Sequence, residues 1–327
     1  MNHGHQVIAS DNLQSGHRES VHPQAIFEQG DLLDAEWLKH LFKRYPVDAV
    51  FHLAAESLID LSIRDPGRFF RSNVSGGINL LDALVPAGVK RLIISSTAAV
   101  YGEPKHMPIT EDHPLNPVNA YGESKLALEK MLGWYRRAHG INYISLRYFN
   151  ACGASQRYGE FHVPETHIIP ALFEVAMQQR EAFQLFGTDF ETSDGTCIRD
   201  YVHVTDIADA HVMALDNLNR IGARIYNLGN GKGYSNAQVI EIVEAVTGHK
   251  IKVIPRPRRP GDPAILVASS ERIHKELGWQ PRYPELEGMV ESAWTWRKKH
   301  PRGYESKNMS SSQANGSTPP LDETRPK

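Results

Sequence analysis

Cysteine is scarce: only Cys152 and Cys197 occur in 327 residues, too few for a disulfide framework or a cysteine-based metal site. No apolar run approaches the roughly 20 residues needed to cross a bilayer. The opening Met1-Asn-His-Gly-His5 is polar and lacks the apolar core of a secretion signal. Excess charge is also missing, with a formal net of −2, so neither a nucleic-acid nor a membrane partner is expected. What remains, 41% hydrophobic and 23% charged residues, is ordinary for a globular protein of one large domain or two small ones. A cytoplasmic enzyme is the expectation.

The first half alternates short β-rich runs with amphipathic stretches. Val7–Ser10, Ala25–Glu28, Ala49–Leu53 and Arg91–Ser95 read as strands; Asp34–Tyr45, Gly67–Val85 and Tyr121–Ala138 read as helices. Asp34 stands at an N-cap, and Gly88 and Gly140 suit helix C-termini. This alternation predicts an α/β fold, a Rossmann-type doubly wound parallel sheet. Residues 1–149 form the expected nucleotide-binding domain. Past Asn150, loops lengthen. Helices at 166–179, 236–246 and 286–298, with strands at 184–186 and 225–228, predict a smaller α/β substrate lobe over 150–302 that returns in places to the first domain. Residues 303–327, rich in Ser, Asn, Pro and charge, read as a disordered tail.

In Asn119-Ala-Tyr-Gly-Glu-Ser-Lys125 a phenol and an ammonium stand one helical turn apart on one face. A nearby cation favours the phenolate, so Tyr121 is a candidate general base or acid, with Thr97 at the end of a buried strand holding a substrate hydroxyl. A chance Tyr and Lys on an amphipathic helix accounts for the spacing about as well; the rest of the chain decides between them.

Asp11 and Asn12 end a strand where nucleotide-binding sheets keep an acid for the adenosine ribose, which argues for NAD over NADP. A glycine-rich phosphate loop should lie about 20 residues before that acid. Only ten residues precede it, so the first strand and the glycine loop are expected to be missing and the sequence reads as N-terminally truncated.

Several stretches together resemble the extended short-chain dehydrogenase/reductase family, and within it the UDP-hexose 4-epimerases. They are Ser95-Ser-Thr-Ala-Ala-Val-Tyr-Gly102, Tyr121-Gly-Glu-Ser-Lys125, Arg147-Tyr-Phe-Asn-Ala-Cys-Gly153, Pro164-Glu-Thr-His-Ile-Ile-Pro170, Asp194–Val204, Asn227-Leu-Gly-Asn-Gly231 and Arg258-Arg-Pro-Gly-Asp262. The resemblance runs from about His5 to Tyr304. It implies interconversion of UDP-galactose and UDP-glucose through a 4-keto sugar, with NAD bound throughout and Tyr121, Lys125 and Thr97 catalytic. It also implies Asp31 and Leu32 at adenine, Leu53, Ala54 and Ala55 along the cofactor, and Asn73, Tyr148, Tyr121 and Lys125 at its nicotinamide side. For the UDP-sugar it implies Asn150, His167, Arg199, Arg259 and Asp262, with Leu185 and Phe186 at uracil and Thr97 and Tyr121 at the hexose. A homodimer is implied as well.

Plainer readings stand beside these. Asn73 also reads as a satisfied buried amide. Arg256, Arg258 and Arg259 also read as a solvated basic loop. His167 and His203 have no carboxylate or cysteine partner at metal-like spacing, so no metal is expected. Ser57 departs from the lysine some epimerases carry. A dehydratase of the same family is disfavoured because Ala98 and Ala99 stand where that chemistry needs an acid pair. A catalytically impaired relative is the other alternative, motivated by the missing glycine loop.

Overall fold

The computed structural model describes residues 4–259 and 261–304. It begins with β1 (Ile8–Asp11) and β2 (Ile26–Gln29), which pair in parallel, followed by α1 (Ala35–Arg44). The Asp34 side chain accepts from the Trp37 amide at 2.9 Å and starts α1 at the expected cap. Next come β3 (Val50–His52), α2 (Ile59–Arg64), α3 (Pro66–Phe69), a π-helical turn at Phe70–Ser75, and α4 (Gly76–Leu84). The single helix expected over 67–85 is therefore broken by a π turn, a feature often found at functional sites. β4 (Arg91–Thr97), a 3-10 turn at Ala98–Tyr101, α5 (Ala120–His139) and β5 (Asn142–Tyr148) complete the first half.

The second half contains β6 (Asn150–Cys152), α6 (Ile168–Ala176), β7 (Phe183–Phe186), β8 (Ile198–His203), α7 (Val204–Ile221), β9 (Ala223–Leu228), β10 (Gly233–Ser235) and α8 (Asn236–Thr247). It ends with β11 (Val253–Arg256), β12 (Ile265–Leu266), α9 (Glu271–Leu277) and α10 (Leu286–Lys299). The expected helices and strands recur here within a few residues. α2, β5, β6, β8, α7, β10, β11, β12 and α9 are not among the expected elements. In α7 the buried Ile207, Ala210, His211, Ala214, Leu215 and Leu218 recur at helical spacing.

β3, β4, β5 and β9 form one parallel sheet in the order β3-β4-β5-β9. Both faces are covered, which is why Leu92, Ile93 and Ile94 are all apolar and buried. Leu92 and Ile94 pack with Leu38, Leu81, Leu84, Leu128 and Leu132 on the α1/α4/α5 side. Ile93 packs with Ile144, Leu146, Ala210, Ala214, Leu218 and Trp279 on the α7/α9 side. β1 and β2 form a separate two-stranded sheet. The second lobe has a β10-β8-β12 sheet with β6 beside β8, a β7-β11 pair, and its own core of Phe173, Val239, Val243, Met289 and Trp294. β9 follows the β6–β8 stretch in sequence and pairs with β5. Most of the expected tail, 305–327, lies outside the described residues. Tyr304 is placed, its hydroxyl donating to the Gly159 carbonyl at 2.7 Å.

Candidate active site

Thr97 and Tyr148 are register partners at the C-terminal ends of β4 and β5, the edge where open α/β sheets bind ligands. α5 is fixed against this edge by two local features. The Asn119 side chain caps its first turn, accepting from the Gly122 amide at 2.9 Å. Gly122 itself permits the approach, because a Cβ there would stand 2.6 Å from the Ala99 carbonyl oxygen. The first turn of α5 therefore lies against the 3-10 turn that follows Thr97, which brings Tyr121 beside Thr97. Phe69 packs edge-on against the Tyr121 ring, with centroids 6.4 Å apart.

Lys125 lies one turn further along and is 3% exposed. Its ammonium donates to Ser95 Oγ at 3.1 Å. Ser95 and Thr97 share a strand face through the two-residue period; reading the sequence gave Ser95 no role. Burial lowers the Lys125 pKa to about 8. His52, the last residue of β3, is held neutral down to about 3 by its burial and then by the Lys125 charge. The expectation that Lys125 lowers the Tyr121 pKa is not met in this structure. Burial pushes the phenol up, and only the neighbouring Thr97 hydroxyl pulls it back. The ammonium is turned to Ser95, and removing both groups from water disfavours charge on each.

Asn73 is the satisfied buried amide. It accepts from the Glu56 amide at 2.8 Å and donates to the Glu56 carbonyl at 3.0 Å and to Ser124 Oγ at 2.9 Å. It thereby ties the loop after β3 to the residue beside Lys125. Below Lys125, Glu129 receives a bidentate Arg147 guanidinium at 3.0 and 2.7 Å and the Ser145 hydroxyl at 2.8 Å. Arg147 also donates to the Tyr101 hydroxyl at 2.8 Å, which donates to Asn227 Oδ1 at 2.6 Å. This network braces the sheet edge, and every buried charge in it has a partner.

The other expected positions fall in two groups. Asp11, Asn12, Asp31 and Leu32 lie at or just past the ends of β1 and β2. Asn12 donates to Asp31 at 2.9 Å, and Asp11 accepts from the Leu13 amide at 2.7 Å. Leu53, Ala54 and Ala55 follow β3 on an open rim, Leu53 being exposed. Tyr148 bonds His211 Nε2 at 2.7 Å, and its phenol lies close enough to Tyr121 to feel its charge. In the second lobe Arg199 pairs with Asp262, and Arg259 reaches the same carboxylate at 3.4 Å while stacking on Phe186 at 5.1 Å. Asn150 opens β6 opposite Tyr201.

Two positions depart from expectation. Leu185 is buried in the second-lobe core, because strand alternation turns it inward and its neighbour Phe186 toward Arg259. His167 does have carboxylate neighbours: Glu160 and Glu165 approach its Nδ1 at 2.6 and 3.3 Å. The loop ahead of α6 folds back on itself, a proximity that no helical or strand period signals. His203 is structural, stacking on Tyr283 at 3.9 Å and bonding Ser292 and Thr205.

Residues 4–7, the described residues ahead of β1, hold no glycine-rich turn, so the fit to a dinucleotide is carried by its two ends. At one end Asp11 and Asp31 offer acceptors for an adenosine. At the other, a buried ammonium with three donors meets a single acceptor, Ser95, among the described residues, which leaves donors for a ribose diol. A tyrosine and lysine one turn apart beside a strand-end threonine, on a parallel α/β sheet, define a dinucleotide-dependent enzyme of sugar or alcohol carbons. The chain belongs to the NAD dependent epimerase/dehydratase family, whose model matches residues 1–229. It is 49% identical over 308 residues to the UDP-glucose 4-epimerase of Halalkalibacterium halodurans, covering 93% of this chain and 92% of that one. A solved UDP-glucose 4-epimerase superposes with a TM-score of 0.90 at 45% identity, covering 93% and 94% of the two chains. The Bifidobacterium longum UDP-glucose 4-epimerase in complex with NAD+ and UDP gives 0.89 at 34% identity, covering 92% and 93%. Among the described residues no helix is long and apolar enough to cross a membrane.

Proposed function

We propose that this chain is an NAD-dependent epimerase that interconverts UDP-galactose and UDP-glucose by inverting carbon 4 of the sugar. The observation that carries this reading is Tyr121 beside Thr97, with the Lys125 ammonium buried one turn away, in a chain so close to proteins of that activity. Bound NAD supplies the chemistry of taking a hydride from carbon 4 and returning it. Tyr121 Oη takes the proton of the 4-hydroxyl and gives it back, while Thr97 Oγ1 holds that hydroxyl in line. Tyr121 must ionise to do this, and burial opposes ionisation; Thr97 is the group that favours it. Asp11 and Asp31 hold the adenosine end of the cofactor, and Lys125 its nicotinamide ribose. Arg199 and Arg259 hold the substrate diphosphate, because a planar guanidinium meets phosphate oxygens two at a time. Phe186 flanks the base. A retained UDP lets the hexose present either face without leaving.

Elimination of water, the dehydratase alternative, needs an acid and a base beside Thr97. Ala98 is buried and Ala99 offers only its amide, which bonds Thr97, so neither moves a proton. The reading extends to a homodimer working in the cytoplasm, where its substrates and NAD occur. Support for the dimer is the family resemblance and the exposed Trp134 on α5. The test is to supply UDP-galactose to the purified protein, follow UDP-glucose, and quantify NAD released on denaturation. Turnover with NAD retained is expected. Soluble, folded protein with bound NAD and no UDP-glucose would overturn the assignment.

A further inference from the structure

The loop joining β6 to α6 gathers four metal-competent side chains in eight residues: Glu160, His162, Glu165 and His167, whose ligand atoms all lie within 4.8 Å of one another. His162 Nδ1 is 3.4 Å from Glu160 Oε1 and 3.8 Å from Glu165 Oε2, and His167 Nδ1 is 3.3 Å from Glu165 Oε1. Around a tetrahedral ion with bonds of about 2.0–2.1 Å, donor atoms stand about 3.3–3.4 Å apart. With Glu165 offering Oε2, two of the pairs, those of His162 with Glu160 and with Glu165, already sit within about half an ångström of the edges of such a tetrahedron; the 2.6 Å pair of His167 and Glu160 must open by under an ångström.

Two of the donor atoms are buried and have no hydrogen-bond partner: His162 Nδ1 and Glu165 Oε2. Glu165 is 5% exposed. Its Oε1 is taken by the Thr166 and His167 amides at 2.8 and 2.9 Å, which fixes the carboxylate and leaves Oε2 facing His162. A buried, unpaired carboxylate oxygen is costly unless something occupies the space before it. The loop is also held from outside. The Gly159 amide and carbonyl both bond Tyr304, and a Cβ on Gly159 would stand 2.3 Å from the Trp296 ring. His162 and Glu165 line an open cleft, which supplies an entry path.

We propose that Glu160, His162, Glu165 and His167 bind one divalent transition-metal ion of the zinc type, clasping the loop that leads into α6. Imidazole nitrogen with carboxylate oxygen is a donor set for such ions, and four protein donors fill a tetrahedral site and leave no open position for substrate. The ion is a clasp, not a reagent. It offsets the two carboxylates and holds His167 at the start of α6. Without it, the same four side chains form a histidine–carboxylate ion-pair network.

The test uses the full chain, stripped with a chelator and dialysed, then titrated with Zn²⁺ and, separately, with Co²⁺. The expected result is one ion per chain, a visible absorption of four-coordinate Co²⁺ that Zn²⁺ abolishes, and a rise in Tm on metal addition. His162→Ala and Glu160→Gln should each weaken binding by more than about 100-fold, since even outer-sphere partners are worth 10–100-fold. Both variants should still unfold cooperatively without metal, with a Tm that, unlike that of the wild type, does not rise when Zn²⁺ is added, which shows that they fold. No stoichiometric binding, or binding that survives both substitutions, would overturn the proposal.

Discussion

Replacing Lys125 with methionine should make the cofactor-free protein more stable while abolishing its activity. The pKa of this buried ammonium falls from 10.5 to about 8, and each unit corresponds to about 1.4 kcal/mol. The folded state thus carries a penalty of about 3 kcal/mol for keeping Lys125 charged. Methionine fills a similar volume without charge and loses one hydrogen bond, to Ser95, worth about 1 kcal/mol. The expected net gain is about 2 kcal/mol at pH 7. Its sign follows from linkage: the unfolded chain binds more protons between the two pKa values, so wild-type stability rises with pH there. The penalty is complete below pH 8, shrinks as pH rises from 8 to 10.5, and is gone above that. Urea unfolding of both proteins at pH 7 and pH 10 reads the difference. A methionine variant less stable than wild type at pH 7, or an advantage that does not shrink by pH 10, would refute the reasoning.

Glu129→Ala should destabilise the fold by about 3–5 kcal/mol, because it leaves the buried Arg147 guanidinium without its counter-charge; chemical denaturation measures it. Arg199→Ala should raise KM for the UDP-sugar much more than it changes kcat, since the role proposed for Arg199 is to hold the diphosphate and not the reacting carbon; steady-state kinetics separates the two. Tyr121→Phe should lower kcat by about 10²–10⁴-fold with bound NAD unchanged, which single-turnover kinetics and cofactor release would read together.

Local chemistry made much of this legible in the sequence. The Asp34 cap, the Tyr121/Lys125 face and the apolar strand Leu92–Ile94 each carry their structural cause within a few residues. Family resemblance names Arg199 and Asp262 as UDP-sugar ligands, but their pairing, 63 positions apart, is not legible because no period connects such residues. α7 is absent from the expected elements although its apolar spacing is helical. Burial was the other obstacle. The Tyr121/Lys125 spacing suggested a phenol lowered by a cation, whereas the folded chain desolvates both and turns the ammonium to Ser95. The clasp around His167 arises from a loop folding back, and a one-dimensional reading treats such histidines as isolated.

The most direct test of the central claim is turnover of UDP-galactose carrying deuterium at carbon 4, with the UDP-glucose product analysed by mass spectrometry and NMR. A hydride taken from carbon 4 and returned to it within one bound complex predicts full retention of the label at that carbon, with none exchanged to solvent. Loss of the deuterium to water would contradict it.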